Sequence, residues 1–223
     1  MTLTVTLGRT SLAVAEVRAR GWQAMGGTSF EVRIHGRGGQ GVVTAAELLS
    51  VAAFLDGHHA QAFPSFGSER MGAPVVAYCR VSSAPVRTRA PVTRPDAVII
   101  QDVTLLHQVD LLGGLVEHGF VLVNTSRSLD ELALGAHLGR LDPGAVACVP
   151  ATELALRVVG RPVPNVPLLG ALAALTGIVT LDGVLGAIGE RFSGAVAEGN
   201  AEAAKEAFAM VAAGKERADA SSA

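Results

Sequence analysis

Aromatic side chains are scarce in this chain, at 4%, with one Trp and one Tyr among 223 residues. Proteins that hold single-stranded nucleic acid stack bases on aromatic rings, so that function class is excluded. An excess of one charge is missing too: 18 Lys and Arg stand against 20 Asp and Glu, a formal net charge of −2. That balance leaves no basic footprint for a phosphate backbone. Cysteine is limited to Cys79 and Cys148. Without a C-x-x-C pair or four thiolates, the chain alone does not hold an iron–sulfur cluster. Both cysteines fall on expected strands and read as small core residues, not as a secreted disulfide framework. A cytoplasmic chain follows as the expectation. The histidines His35, His58, His59, His107, His118 and His137 do not fall at the i, i+4 spacing of a zinc-binding helix. The G-x-S-x-G pattern of a nucleophile elbow is absent. No apolar run reaches the 18 or so unbroken residues that a membrane span needs.

Hydrophobic residues nonetheless make up 49% of the chain, and the mean hydropathy is +0.40. With no span to account for it, part of that apolar surface is expected to lie against partner chains. The length suits one α/β domain with a sizeable core. Alternating patterns place strands at 30–35, 60–64, 74–81, 97–101, 120–124 and 145–149. Helices are expected at 41–55, 103–118, 128–134, 151–159, 168–176, 181–192 and 195–213. Alternation with short links implies a three-layer α/β fold, a largely parallel sheet with helices on both faces and a Rossmann-like first βαβ unit. Val98-Ile99-Ile100 and Val121-Leu122-Val123 are continuous apolar triplets, as strands covered on both faces require.

The centre of the pattern is Gly36-Arg37-Gly38-Gly39-Gln40-Gly41, between the first strand and the first helix. In that geometry, backbone N–H groups at a helix N-terminus face an anion. Glycine lets a ligand approach the backbone, and Arg37 adds a charge suited to phosphate. The spacing matches G-x-G-x-x-G, but the acid that should contact a ribose is missing from the end of the second strand. Asp56 stands instead at the end of the first helix, before Gly57. Val42 and Val43 occupy the positions where a Walker loop needs Lys and Ser or Thr. An anionic ligand is implied, with neither dinucleotide nor nucleoside-triphosphate chemistry supported.

The glycine run, together with Phe66-Gly67-Ser68-Glu69-Arg70-Met71-Gly72-Ala73-Pro74-Val75, closely resembles the gamma subunits of the 2-oxoacid:ferredoxin oxidoreductase family, pyruvate type. The resemblance continues through Asp96–Asp102, Val121–Thr125 and Asn165–Leu172, and covers roughly Phe30 to Phe208. It implies a subunit of a complex that oxidatively decarboxylates a 2-oxoacid to acyl-coenzyme A and reduces ferredoxin. Thiamine diphosphate and 4Fe-4S clusters would then sit in partner subunits of alpha, beta and delta type. This chain would contribute coenzyme A contacts and cover for the active site, with no catalytic residue and no metal of its own. On that basis the ligand contacts are expected at Gly36, Arg37, Gly38, Gly39, Gln40, Gly41, Arg70 and Asn124. Met71 departs from the basic residue expected between Arg70 and Gly72, and Gly72-Ala73-Pro74-Val75 leans towards pyruvate. The alternative from a different class is a stand-alone nucleotide-binding module.

The remaining organisation follows composition. Residues 1–28 lie outside the resemblance and read as an extension ending at Gly26-Gly27; 29–213 form the α/β domain, and 214–223 a small, polar, frayed tail. Residues 80–95 carry Arg87, Arg89 and Arg94 among prolines and read as an exposed loop. Pro162, Pro164 and Pro167 are expected to forbid helix before 168 and to hold Asn165 in place.

Overall fold

A computed structural model describes residues 29–65, 71–132, 134, 138–139, 141–142 and 144–221. Six strands form one sheet in the order β2-β3-β1-β4-β5-β6. They are β1 (Ser29–Arg37), β2 (His59–Pro64), β3 (Pro74–Ser82), β4 (Ala97–Ile100), β5 (Phe120–Asn124) and β6 (Val146–Val149). β1, β4, β5 and β6 pair in parallel, while β3 runs antiparallel to both β1 and β2. Five strands therefore point the same way, and their carboxyl ends share one edge. The first β-α-β unit is split, because β3 returns between β1 and β2.

The period of two sorts side chains by face. Val32, Ile34, Ile99, Leu122 and Val149 face one side, where they join the apolar sides of five α-helices in the main core. These helices are α1 (Val42–Leu55), α2 (Ala151–Val159), α3 (Asn165–Thr176), α4 (Leu181–Arg191) and α5 (Gly194–Ser221). Val98, Ile100, Val121 and Val123 face the other way, under Leu105, Leu111, Leu134 and Leu138. On that side the third layer is a 3-10 helix, Val103–His107, followed by irregular chain.

Four expectations change here. The helix expected over 103–118 stops at His107. Buried Arg33 donates to the carbonyls of Leu111 at 3.0 Å and Gly113 at 2.7 Å, oxygens that a helix would have used internally. Gly114 adopts φ +76°, and a Cβ there would lie 1.9 Å from the Thr93 carbonyl oxygen. Residues 128–132 form turns in place of the expected helix; position 133 lies outside the described residues.

The prolines before 168 do not forbid helix. α3 begins at Asn165, with Pro164 as its cap and Pro167 in its first turn, where a missing N–H costs nothing. Every residue of α3 is buried. Gly170 makes this possible, since a Cβ there would meet the Ala204 carbonyl oxygen of α5 at 2.1 Å. Nor does the chain fray from 214: α5 continues through Ser221. Lys215 ties that end down by donating to the carbonyls of Ala174 and Leu175, each at 2.9 Å. Among the described residues no helix is long and apolar enough to cross a membrane.

Candidate functional site

At the common carboxyl edge, β1 and β4 are neighbours whose connections leave on opposite faces: α1 on one, the 3-10 helix on the other. Such a switch point opens a crevice above the strand ends. The glycine run fills the β1 side of that crevice. Gly36 is forced by packing, since a Cβ would lie 2.6 Å from Val42 Cγ2 and 3.0 Å from the side-chain oxygens of Gln40 and Gln101. Gly38 extends the strand, its N–H donating to Ala73 O at 2.9 Å and its carbonyl accepting from Gly72 N at 3.1 Å. Gly39 and Gly41 take φ of 97° and 71°, conformations open to glycine and strained for other residues.

Gly41 is the N-cap of α1, so no side chain caps this helix, and its first turn carries no acid. The N–H groups of Val42, Val43 and Thr44 find no side-chain acceptor among the described residues. Four N–H groups and the positive end of the helix dipole meet at such a terminus. Above them is an open groove of about 470 Å³, walled by Arg37, Gly38, Gly39, Val43, Thr44 and Met71.

Arg37 and Gln40 have tasks inside the loop. The Arg37 N–H donates to Gln40 Oε1 at 2.8 Å, and Gln40 Nε2 donates to Asp102 Oδ2 at 2.8 Å. The Arg37 guanidinium lies 3.3 Å from Asp102, donates to Thr104 Oγ1 at 2.7 Å and reaches the Gly72 carbonyl at 3.0 Å. Burial alone would raise the Asp102 pKa; hydrogen bonds from Thr104 and Gln40, with the charge of Arg37, outweigh it and hold the carboxyl below its ordinary value. Asp102 therefore stays ionised and offsets most of the Arg37 charge. The cation expected to meet a ligand thus also braces the loop, while still lining the groove.

Asn124 is also engaged. Its amide nitrogen donates to Gln101 O at 2.8 Å and Thr152 Oγ1 at 2.7 Å, and its oxygen accepts from Thr152 N at 3.1 Å. It ties β5 to β4 and to the start of α2. Arg70, with Phe66 to Glu69, lies outside the described residues. Sequence reading assigned no role to Asp102, Thr104 or Gln101. Their signal was position: a polar stretch directly after an apolar strand, at the ligand-binding edge. Gln101 is 1% exposed, and neither end of its amide has a partner among the described residues.

Other chemistry is sparse. His35 is buried with Nε2 unpartnered among the described residues, and burial, then the nearby Arg33 charge, lowers its pKa to about 4. Burial pushes the Cys79 thiol up to about 12, far from reactivity. Among the described residues no group of three His, Cys, Asp or Glu is placed to hold a metal.

A family model described as pyruvate ferredoxin/flavodoxin oxidoreductase matches residues 31–210. The chain is 49% identical over 181 residues to the pyruvate/ketoisovalerate oxidoreductases common subunit gamma of Thermococcus kodakarensis, covering 80% of this chain and 95% of that one. It is 44% identical over 179 residues to the pyruvate synthase subunit PorC of Methanothermobacter marburgensis, covering 80% and 96%. The crystal structure of pyruvate oxidoreductase subunit PORC from Thermotoga maritima shares the fold with a TM-score of 0.69 at 35% identity, covering 82% of this chain and 96% of that one. This chain belongs to the pyruvate ferredoxin/flavodoxin oxidoreductase family, as a gamma subunit of a 2-oxoacid:ferredoxin oxidoreductase complex.

Proposed function

We propose that this chain presents the coenzyme A-binding surface of its complex, with Gly36 to Gly41 and the first turn of α1 taking the diphosphate. The observation that carries this reading is the uncapped, acid-free start of α1 opening into a groove of about 470 Å³ at the switch point. The fit is chemical: the loop presents unspent backbone donors and no carboxylate, the surface a diphosphate requires. When bound there, coenzyme A supplies the thiol that accepts the acyl group. In this reading Arg37 and Gln40 hold the loop in shape, Arg70 adds a contact from the segment before β3, and Asn124 fixes the strand edge beneath the ligand.

Thiamine diphosphate and 4Fe-4S clusters then reside in partner alpha, beta and delta-type subunits. Ferredoxin is met through the complex, in the cytoplasm, and the 2-oxoacid is pyruvate. This division of labour accords with two cysteines, both free.

The test starts with affinity isolation of this chain from its host. The co-purified material is assayed for viologen reduction that depends on pyruvate and coenzyme A. The expected result is iron–sulfur-coloured partners with that activity, and a raised KM for coenzyme A in the Gly38→Val complex. Gly38 lines the groove and is not among the positive-φ glycines, so a side chain there is not barred by the left-handed backbone that Gly39 and Gly41 adopt. A colourless single chain that binds a nucleotide and has no such activity would establish the stand-alone module instead.

A further inference from the structure

Met71 stands where a basic residue was expected, and the coenzyme A reading gives it no task. Its side chain is 87% exposed, the highest among the exposed large hydrophobic residues described. The backbone holds it there. Met71 forms an isolated parallel bridge with Gly38. Around that bridge, the Gly38 N–H donates to Ala73 O at 2.9 Å and the Gly72 N–H donates to Gly38 O at 3.1 Å. The Gly72 carbonyl also accepts from Arg37 at 3.0 Å. The thioether is thereby kept over Gly39, in space that only glycine leaves free: a Cβ at Gly39 would lie 3.1 Å from Met71 Cε and 3.3 Å from Sδ. The same side chain walls the groove with Arg37, Gly39 and Thr44. An oxidisable sulfur is thus presented to solvent beside the backbone donors of the α1 N-terminus.

We propose that Met71 is an oxidative modification site, with hydrogen peroxide as the oxidant, and that its sulfoxide obstructs the groove. The thioether sulfur attacks one peroxide oxygen, so that an S–O bond forms as the O–O bond breaks. Sulfur loses two electrons and the peroxide is reduced to water, the proton of the transferred oxygen passing to the departing hydroxide. Exposure governs which methionine reacts. Met210, on α5, is 41% exposed, so Met71 reacts first of the two. Oxidation turns a flexible apolar side chain into a polar one. The new oxygen accepts hydrogen bonds and carries partial negative charge, the same sign as an anion facing the α1 N-terminus. Methionine sulfoxide reductases reverse the change, which makes it a switch. The obstruction rests on the coenzyme A reading of the groove; the site of oxidation does not.

In the experiment the assembled complex is titrated with hydrogen peroxide. Mass spectrometry follows each methionine-containing peptide, and kcat and KM for coenzyme A are measured on the same samples. The Met71→Leu complex is treated alongside, each complex being compared with its own untreated sample. Met71 is expected to gain an oxygen before Met210. In the parent, KM for coenzyme A should rise roughly fivefold, equivalent to about 1 kcal/mol, and return after treatment with methionine sulfoxide reductase. In the Met71→Leu complex peroxide should leave KM unmoved. Peroxide damage to clusters in partner subunits lowers kcat in both complexes alike and does not mimic this pattern. Oxidation of Met71 no earlier than Met210 overturns the proposal, and so does an equal rise in KM in the Met71→Leu complex. If the sulfoxide forms and KM stays constant, the obstruction is refuted, and the Gly38→Val complex then separates the two readings. A raised KM in that complex leaves the glycine-loop reading standing; an unchanged one brings it down as well.

Discussion

Placing a carboxylate in the first turn of α1 separates ligand binding from folding, because the two should respond with opposite sign. Thr44 is the third residue of that helix, partly buried, and it lines the groove. The turn holds no acid and no side-chain cap, so Thr44→Asp adds an anion where the helix dipole favours one. The chain should gain about 0.3–1 kcal/mol. A bound diphosphate would meet that new charge at close range. At a separation of about 4 Å the repulsion is about 1 kcal/mol in bulk water and about 4 kcal/mol at an effective dielectric of 20. Affinity for coenzyme A should therefore fall by between roughly fivefold and roughly a thousandfold. Two measurements decide it: the denaturation midpoint of the chain, and KM for coenzyme A in the complex at two salt concentrations. The neutral control is Thr44→Asn. The expected pattern is an unchanged or raised midpoint, a raised KM that salt relieves in part, and little change in the Asn variant. Equal KM values for Asp, Asn and parent would refute anion binding at this terminus. A raised KM that appears only with a lowered midpoint would show that the site had merely been distorted.

Other perturbations probe the scaffold. Gly170→Ala puts a Cβ 2.1 Å from the Ala204 carbonyl oxygen, so α3 and α5 must separate; a loss of about 1–3 kcal/mol is expected from denaturant unfolding. Asn124→Ala removes three hydrogen bonds that join β5, β4 and α2 and strands their partners, so unfolding should be about 1–3 kcal/mol easier. A change in KM for coenzyme A at unchanged stability would instead make Asn124 a direct contact. His35 has a folded pKa of about 4 against an ordinary 6.5, so the unfolded chain takes up the proton first. Its contribution is present above about pH 6.5 and is lost as pH falls towards 4, by roughly 3 kcal/mol. Denaturant titrations across that range should show a steeper pH dependence for the parent than for His35→Gln, and parallel curves would refute the assignment.

Much of the fold was legible because its signals are local. The triplets Val98-Ile99-Ile100 and Val121-Leu122-Val123 read as strands because both their faces are covered, and they are. The glycine run read as an anion-facing loop because strand, glycine and helix follow one another within a few residues. What escaped reading depends on residues far apart in sequence. Residues 103–118 carry a helix-like apolar period, yet Arg33 claims two of their carbonyls from 78 and 80 positions away. No pattern within the segment reveals that competitor.

The same distance effect governs the candidate site, and it inverts the reading of charge. Arg37 sits inside the motif and looked like the ligand's cation. Asp102 approaches from the adjacent strand and stays ionised beside it. Arg161 and Arg191 belong to no motif, lie 30 positions apart in sequence, and line one groove with no acid among its described walls. A cation attracts an anion only to the extent that the fold leaves it unneutralised. By that criterion the glycine run offers shape and backbone donors, while the charge of its own arginine is offset by Asp102.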